Sequence, residues 1–257
     1  MNKFKFRIIG TLSLIIIVII ATLVYTGYSA FKKESVDLNK ALLSEKNATI
    51  EAGLVEKFNG YRQMLSSVNA SVSDIDIDGL SLNVITQLKA LSRAQNTASD
   101  GVYLFTKKGD IYNADGEQLN INVKALKLKY HDAIFNKGRT FFVSSPFKST
   151  KTGKSVLGIA LKIDDSVAVL STVYLESLLE GTINRKDIFM YNSDGTIITS
   201  PYPELINKNI FIERPLYKQF NASNPELSYT AEVYGEDVAF TAFWGVLDIT
   251  GWSYVSF

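Results

Sequence analysis

The sequence predicts an α+β protein: an N-terminal apolar span, a long helix and two tandem antiparallel-sheet modules. Three observations carry this. Residues 8–28 hold no charge in 21 positions. Apolar residues from Ile50 to Val68 recur at helical spacing. Two strand–turn–strand units, with glycines Gly109 and Gly195 lying 86 positions apart, repeat one pattern.

The span comes first. A helix rises about 1.5 Å per residue, so residues 8–28 are enough to cross a hydrocarbon core of about 30 Å. The run is longer than the apolar region of an ordinary signal peptide, and Tyr28-Ser29-Ala30 is a poor cleavage site, which favours an uncleaved anchor. Lys3, Lys5 and Arg7 before it, against Lys32-Lys33-Glu34 after it, favour a cytoplasmic N-terminus. The expected division is a cytoplasmic N-terminus at 1–7, a transmembrane helix at 8–28, and an exterior part in the periplasmic or extracellular space from residue 29 onward. The exterior comprises a long stalk or dimerisation helix at 29–71 and two modules at 72–172 and 173–257.

The long helix is read from Phe31 to Ala70. Ile50, Leu54, Phe58, Tyr61, Leu65 and Val68 follow at spacings of four, four, three, four and three, with charges between them. This stripe suits packing on the chain's own sheets or on a second copy of the helix, and a parallel homodimer is expected. The acidic run from Ser73 to Gly79 imitates the start of a calcium loop, but Ile85 stands where the twelfth-position acid belongs, so no metal is expected.

The remaining elements follow in order. A helix is expected over Leu80 to Arg93. A hairpin joins Val102–Phe105 to Asp110–Tyr112 around Lys108-Gly109. A helix spans Lys124 to Asn136 and closes at Lys137-Gly138. A second hairpin joins Thr140–Pro146 to Ser155–Ile163 around Thr152-Gly153. The second module repeats the order, with a helix over Tyr174 to Asn184 and a hairpin from Phe189 to Ile198. Its later strands are Tyr229–Val233, Val238–Val246 and Trp252–Val255.

Several function classes find no support. There is no cysteine, and the single histidine, His131, has no nucleophile elbow or second histidine beside it; a helix-surface position is expected for it. No glycine-rich phosphate loop follows a strand, so no cofactor is expected, nor is an enzyme. The net charge of +1 gives no reason to expect a nucleic-acid partner. The charge is unevenly placed, however. Residues 101–163 carry 11 Lys+Arg against four Asp+Glu, whereas residues 164–257 carry five against 13. Such asymmetry informs about partners, and it suggests a small anion bound in the first module.

The basic N-terminus and span, the long helix, YLFTKKGDIY, KYHDAIF, FVSSPFKSTKTGKSVLGIAL, FMYNSDGTIITSP and the final TGWSY together resemble the double Cache sensor domain of bacterial methyl-accepting chemotaxis receptors. The resemblance covers nearly the whole chain. It implies two PAS-like modules outside the cytoplasm, the membrane-distal one binding a small molecule, with homodimerisation through the long helix. A histidine kinase or a diguanylate cyclase can carry the same sensor. A membrane-anchored domain that binds a periplasmic protein is the alternative from another class.

Amino-acid-sensing members of that family carry R-x-W-Y-x-x-A on the pocket helix and an Asp near the junction of the modules. On this chain Lys127 and Lys129 stand at the Arg and Trp positions, Tyr130 and Ala133 match, and Thr172 stands at the Asp position. A cavity with lysines and no junction carboxylate suits a carboxylate, sulfonate or similar anion better than an amino acid. Tyr103, Tyr112, Ser145 and Phe147 are expected to form the wall facing Lys127, Lys129 and Tyr130, with Thr172 at the junction.

Overall fold

A computed structural model of the chain describes residues 2–76, 79–182, 188–233 and 236–257. One helix, α1, runs from Asn2 to Leu65. The chain divides into a compact unit of residues 1–46 and another of residues 47–257. In the first, α1 exposes an unbroken apolar surface from Leu14 to Ile20, and its length and composition are those of a helix able to cross a membrane.

In the second unit α1 buries the predicted stripe. Ile50, Leu54, Phe58, Tyr61 and Leu65 are all buried in one core. The helix ends short of the expected Ala70. Ser66 and Ser67 donate their hydroxyls to the carbonyls of Gln63 and Met64, an alternative to continued helix that serine offers readily. A short hairpin follows, β1 (Ile75–Asp76) and β2 (Gly79–Leu80), then α2 (Leu82–Ala94) with Ser81 as its N-cap. The acidic stretch read against a calcium loop includes residues 77–78, which lie outside the described residues.

The first large sheet is built from β3 (Ser99–Thr106), β4 (Asp110–Asn113), β5 (Gln118–Asn122), β6 (Phe141–Val143), β7 (Phe147–Lys148), β8 (Ser155–Lys162) and β9 (Val167–Tyr174). Its order is β5-β4-β3-β9-β8-β6, antiparallel throughout, with β7 also on β8. Gly109 makes the β3–β4 turn at φ 102, as the hairpin reading requires. Side chains alternate between faces. Val102, Leu104, Leu157 and Val169 meet α1 and α2, while Phe105, Ala160, Ala168 and Leu170 meet Tyr130 and Ile134.

The expected Lys124–Asn136 helix is only partly present. Its regular part is α3 (Lys129–His131), which widens into one π-helical turn over Asp132–Asn136. Residues 124–127 instead form a turn: the Ala125 amide donates to Asn122 Oδ1, and Lys127 takes the left-handed φ of 53. A lysine at that φ cannot sit within a right-handed helix.

Helix α4 (Leu175–Leu179) leads to the second sheet. It is shorter than the helix expected over Tyr174–Asn184, of which residues 183–184 lie outside the described ones. Lys57 of α1 caps it, donating Nζ to the carbonyls of Leu178 at 2.9 Å, Ser177 at 3.4 Å and Glu180. Strands β10 (Ile188–Tyr191), β11 (Ile197–Thr199), β12 (Glu226–Val233), β13 (Glu236–Leu247) and β14 (Trp252–Ser256) make an antiparallel sheet of order β11-β10-β14-β13-β12. One face joins the α1 core through Met190, Tyr254 and Trp252, whose indole lies edge-on to Phe58 at 5.7 Å. The other face packs under α5 (Ile210–Glu213) and the single turn Pro215–Gln219. The expected α+β class, with a long N-terminal helix and antiparallel sheets, is the one found.

Candidate functional site

A cavity of about 620 Å³ lies on the Phe105 face of the first sheet, roofed by α3 and the segment joining β6 to β7. Its floor follows from strand alternation. Tyr103, Ile111 and Leu170 point into it, and a Cβ at Gly158 would come within 3.3 Å of Leu170. Leu119 and Leu128 close one end, so much of the wall is apolar, as in most small-molecule sites.

Six of the eight predicted residues line this cavity: Lys129, Tyr130, Tyr103, Ser145, Phe147 and Thr172. Two do not. Lys127 is exposed on the turn before α3, and its left-handed backbone breaks the helical spacing that would have aligned it with Tyr130. Tyr112 is buried in the α1 core, because on β4 it alternates with Ile111, and Ile111 takes the cavity side. His131 also departs from expectation. It is 2% exposed rather than on a helix surface, and its Nε2 lies 3.1 Å from the Lys107 carbonyl. Burial depresses its pKa, against the pull of that carbonyl.

The residue that sequence reasoning missed is Asp100. On a regular strand it would share the α1-facing side with Val102 and Leu104. A bulge between Ser99 and Gly101, where two residues of β3 oppose one step of β9, brings it to the cavity wall instead. Asp100 is 8% exposed, and its carboxylate accepts the Ser149 hydroxyl at 2.5 Å and the Tyr174 phenol at 3.3 Å. Lys151 lines the same wall and directs its ammonium to the Asp100 carbonyl at 3.5 Å. A signal did exist in the sequence: an acidic residue opening an otherwise apolar strand, before a glycine.

That glycine has its own reason. Tyr103 lies flat over Gly101, and a Cβ there would come within 2.6 Å of the phenol oxygen. The Thr172 hydroxyl donates to the Gly101 carbonyl at 3.1 Å. Burial, and then the charge of Asp100, push the Tyr103 phenol up, while Thr172 acts the other way. Tyr130, edge-on to Phe105 at 5.2 Å, is pushed up to about 12 by burial and by Tyr103. Both phenols therefore stay neutral and can donate hydrogen bonds at neutral pH. The cavity thus offers Asp100 as an acceptor for a cation, Lys129 and Lys151 as positive groups, and phenols between apolar surfaces.

Two wall residues reach the second sheet. Ser145 Oγ accepts a hydrogen bond from Asn192 Nδ2 at 2.8 Å. Asn192 also holds the β10–β11 turn, its Oδ1 accepting the amides of Asp194 and Thr196. On the same turn, Asp194 has its pKa lowered chiefly by Thr196, with Lys129 contributing through its charge.

No family model matches the chain. No curated protein sequence matches it either. Solved structures do. The ligand-binding domain of the Pseudomonas fluorescens chemoreceptor CtaA, in complex with L-isoleucine, is 17% identical over 85% of this chain and 91% of its own, with a TM-score of 0.60. That of the Pseudomonas aeruginosa amino-acid chemoreceptor PctC, in complex with GABA, is 18% identical over 83% and 94%, with a TM-score of 0.56. An extracellular domain assigned to a histidine kinase, rpHK1S-Z16, is 14% identical over 82% and 89%, with a TM-score of 0.55. The chain shares the fold of these sensor domains, which is the fold its double Cache resemblance implied.

Proposed function

We propose that the chain is an extracytoplasmic sensor domain of a chemotaxis receptor, anchored by residues 8–28, paired with a second copy through α1, and liganded in the cavity of the first sheet. The fold supports the sensor role. The observation that carries the ligand assignment is that one cavity is lined by both the buried Asp100 and the cationic Lys129. Opposite charges in a largely apolar pocket suit a small zwitterion, its amine toward Asp100 and its carboxylate toward Lys129 with Tyr130 as a neutral donor. This revises the anion expected from Thr172, since a counter-charge for an ammonium stands at Asp100. L-Isoleucine and GABA, bound in the CtaA and PctC structures, are compounds of this kind.

A second reading keeps the anion. Asp100 already accepts two hydroxyl donors, while Lys129 and Lys151 leave the wall net positive. Calorimetric titration of the full chain in detergent separates the two, using amino carboxylates beside the same acids lacking the amine. Tighter binding of an amino carboxylate than of its deaminated analogue supports the zwitterion; the reverse order supports the anion. Failure of both sets to bind sinks the ligand assignment. A histidine kinase is the alternative output, and the rpHK1S-Z16 likeness is what favours keeping it.

A further inference from the structure

The second sheet repeats the plan of the first: a short helical segment covers one face, and a cavity of about 470 Å³ opens beside it. Its chemistry differs from that of the first cavity. Phe189 of β10, Tyr217 of the covering turn, Tyr229 of β12, Phe240 of β13 and Phe257 all contribute rings to the wall. Tyr229 and Phe240 stack with centroids 5.7 Å apart and planes 20° apart, presenting a flat shelf. Phe189 stands edge-on to Tyr217 at 5.8 Å, and both pairs line the one cavity, an aromatic slot.

Arg214 supplies a cation to this lining. Arg214 lines the cavity with its guanidinium 5.7 Å from the Tyr202 ring, and no ion pair to it is found among the described residues. The adjacent Glu213 also belongs to the lining, and its carboxylate lies 4.0 Å from the Lys208 ammonium. A guanidinium held over an aromatic face keeps its planar fork of donors, which matches a carboxylate in two parallel hydrogen bonds. Burial, then the neighbouring Tyr229 through its charge and a hydrogen bond, raise the Tyr217 phenol against the pull of Arg214, so this hydroxyl stays neutral and is shared with Tyr229.

We propose that this cavity is a second ligand site, selective for a flat aromatic monocarboxylate whose ring enters the slot and whose carboxylate pairs with Arg214. The sensor would then read two chemically distinct small molecules, a zwitterion or anion on the first sheet and an aromatic acid on the second. The two sites share no lining residue. The proposal therefore stands whether or not the first cavity is liganded.

The test titrates the full chain in detergent with benzoate, phenylacetate and indole-3-carboxylate, with benzamide and cyclohexanecarboxylate as controls. At least one aromatic acid is expected to bind saturably below about 1 mM, and benzamide and cyclohexanecarboxylate at least about tenfold more weakly. Arg214→Gln, a change at an exposed side chain that should not disturb folding, is expected to weaken the acid by about tenfold or more, while Lys218→Gln, which removes the same charge from an exposed residue outside the cavity lining, leaves it unchanged. Three results each overturn the proposal: no acid binding in this range, binding that survives Arg214→Gln, or binding weakened equally by Lys218→Gln.

Discussion

Replacing Asp100 by Asn removes one charge from the first cavity and almost no volume. The amide oxygen can still accept the Ser149 hydroxyl, now at 2.5 Å from the carboxylate, and the amide nitrogen can donate to the Tyr174 oxygen, now at 3.3 Å. Folding should therefore lose only the charge assistance of one short hydrogen bond, about 1 kcal/mol. Binding should change far more. An ammonium held by a largely buried carboxylate contributes about 1.5 to 3 kcal/mol, so an amino carboxylate should bind one to two decades more weakly. The same substitution leaves Lys129 and Lys151 without an opposing carboxylate in the wall, so the deaminated acid should bind as well or better. The assay is parallel calorimetry of each pair of ligands on the wild-type chain and the variant, with thermal melts to check folding. If Asp100→Asn leaves the amino carboxylate's affinity intact while the melt is also unchanged, Asp100 does not face the ligand and the zwitterion reading is wrong.

Other substitutions test the framework. Lys57→Met should lower stability by about 1.5 to 3 kcal/mol, seen as a lower melting temperature, because the last carbonyls of α4 lose a half-buried charged donor. Phe58→Ala removes a fully buried ring packed on Trp252 and should cost about 3 to 5 kcal/mol in denaturant titrations. His131 supplies a pH test with a definite sign. Its folded pKa lies below the unfolded value of about 6.5, so the unfolded chain takes up the proton first, and stability should fall as pH drops below 6.5 until the folded pKa is passed. His131→Gln should flatten that limb of the stability profile; an unaltered profile would show that other groups set it.

Periodic features were the legible part of the sequence. The α1 stripe from Ile50 to Leu65 was readable because a helical face repeats every three or four residues, and burial follows that face. The hairpin turn at Gly109 was readable because a positive φ selects glycine. The candidate site was less so, because it depends on departures from period. Lys127 left the helix through a single left-handed residue, and the Asn122 side chain that supports the turn is not a helix-stop signal seen in Lys124–Asn136 itself. Tyr112 and Ile111 are adjacent apolar residues on β4, and nothing in their identity says which one faces the cavity. Asp100 needed the bulge opposite β9, a property of strand pairing that neither strand displays alone.

The position of Ser145 and Lys129 gives the first cavity a path to the second sheet. Ser145 lies where β6 breaks off before β7, so ladder hydrogen bonds do not hold it, and its hydroxyl is tied to Asn192 instead. Asn192 spends its other end on the β10–β11 turn, so a shift of Ser145 loads that turn and not merely one side chain. Lys129 adds an electrostatic link to Asp194 on the same turn. An anionic group that draws the Lys129 ammonium into the cavity and away from Asp194 weakens that attraction, which falls with distance. Linkage makes this reciprocal: whatever stabilises the turn in its present form must alter affinity in the cavity by the same free energy. Asn192→Ala removes the hydrogen-bonded half of the path and leaves the charged half. A ligand engaging Lys129 should thus still perturb the Asp194 turn in that variant, and Lys129→Met should abolish the remainder.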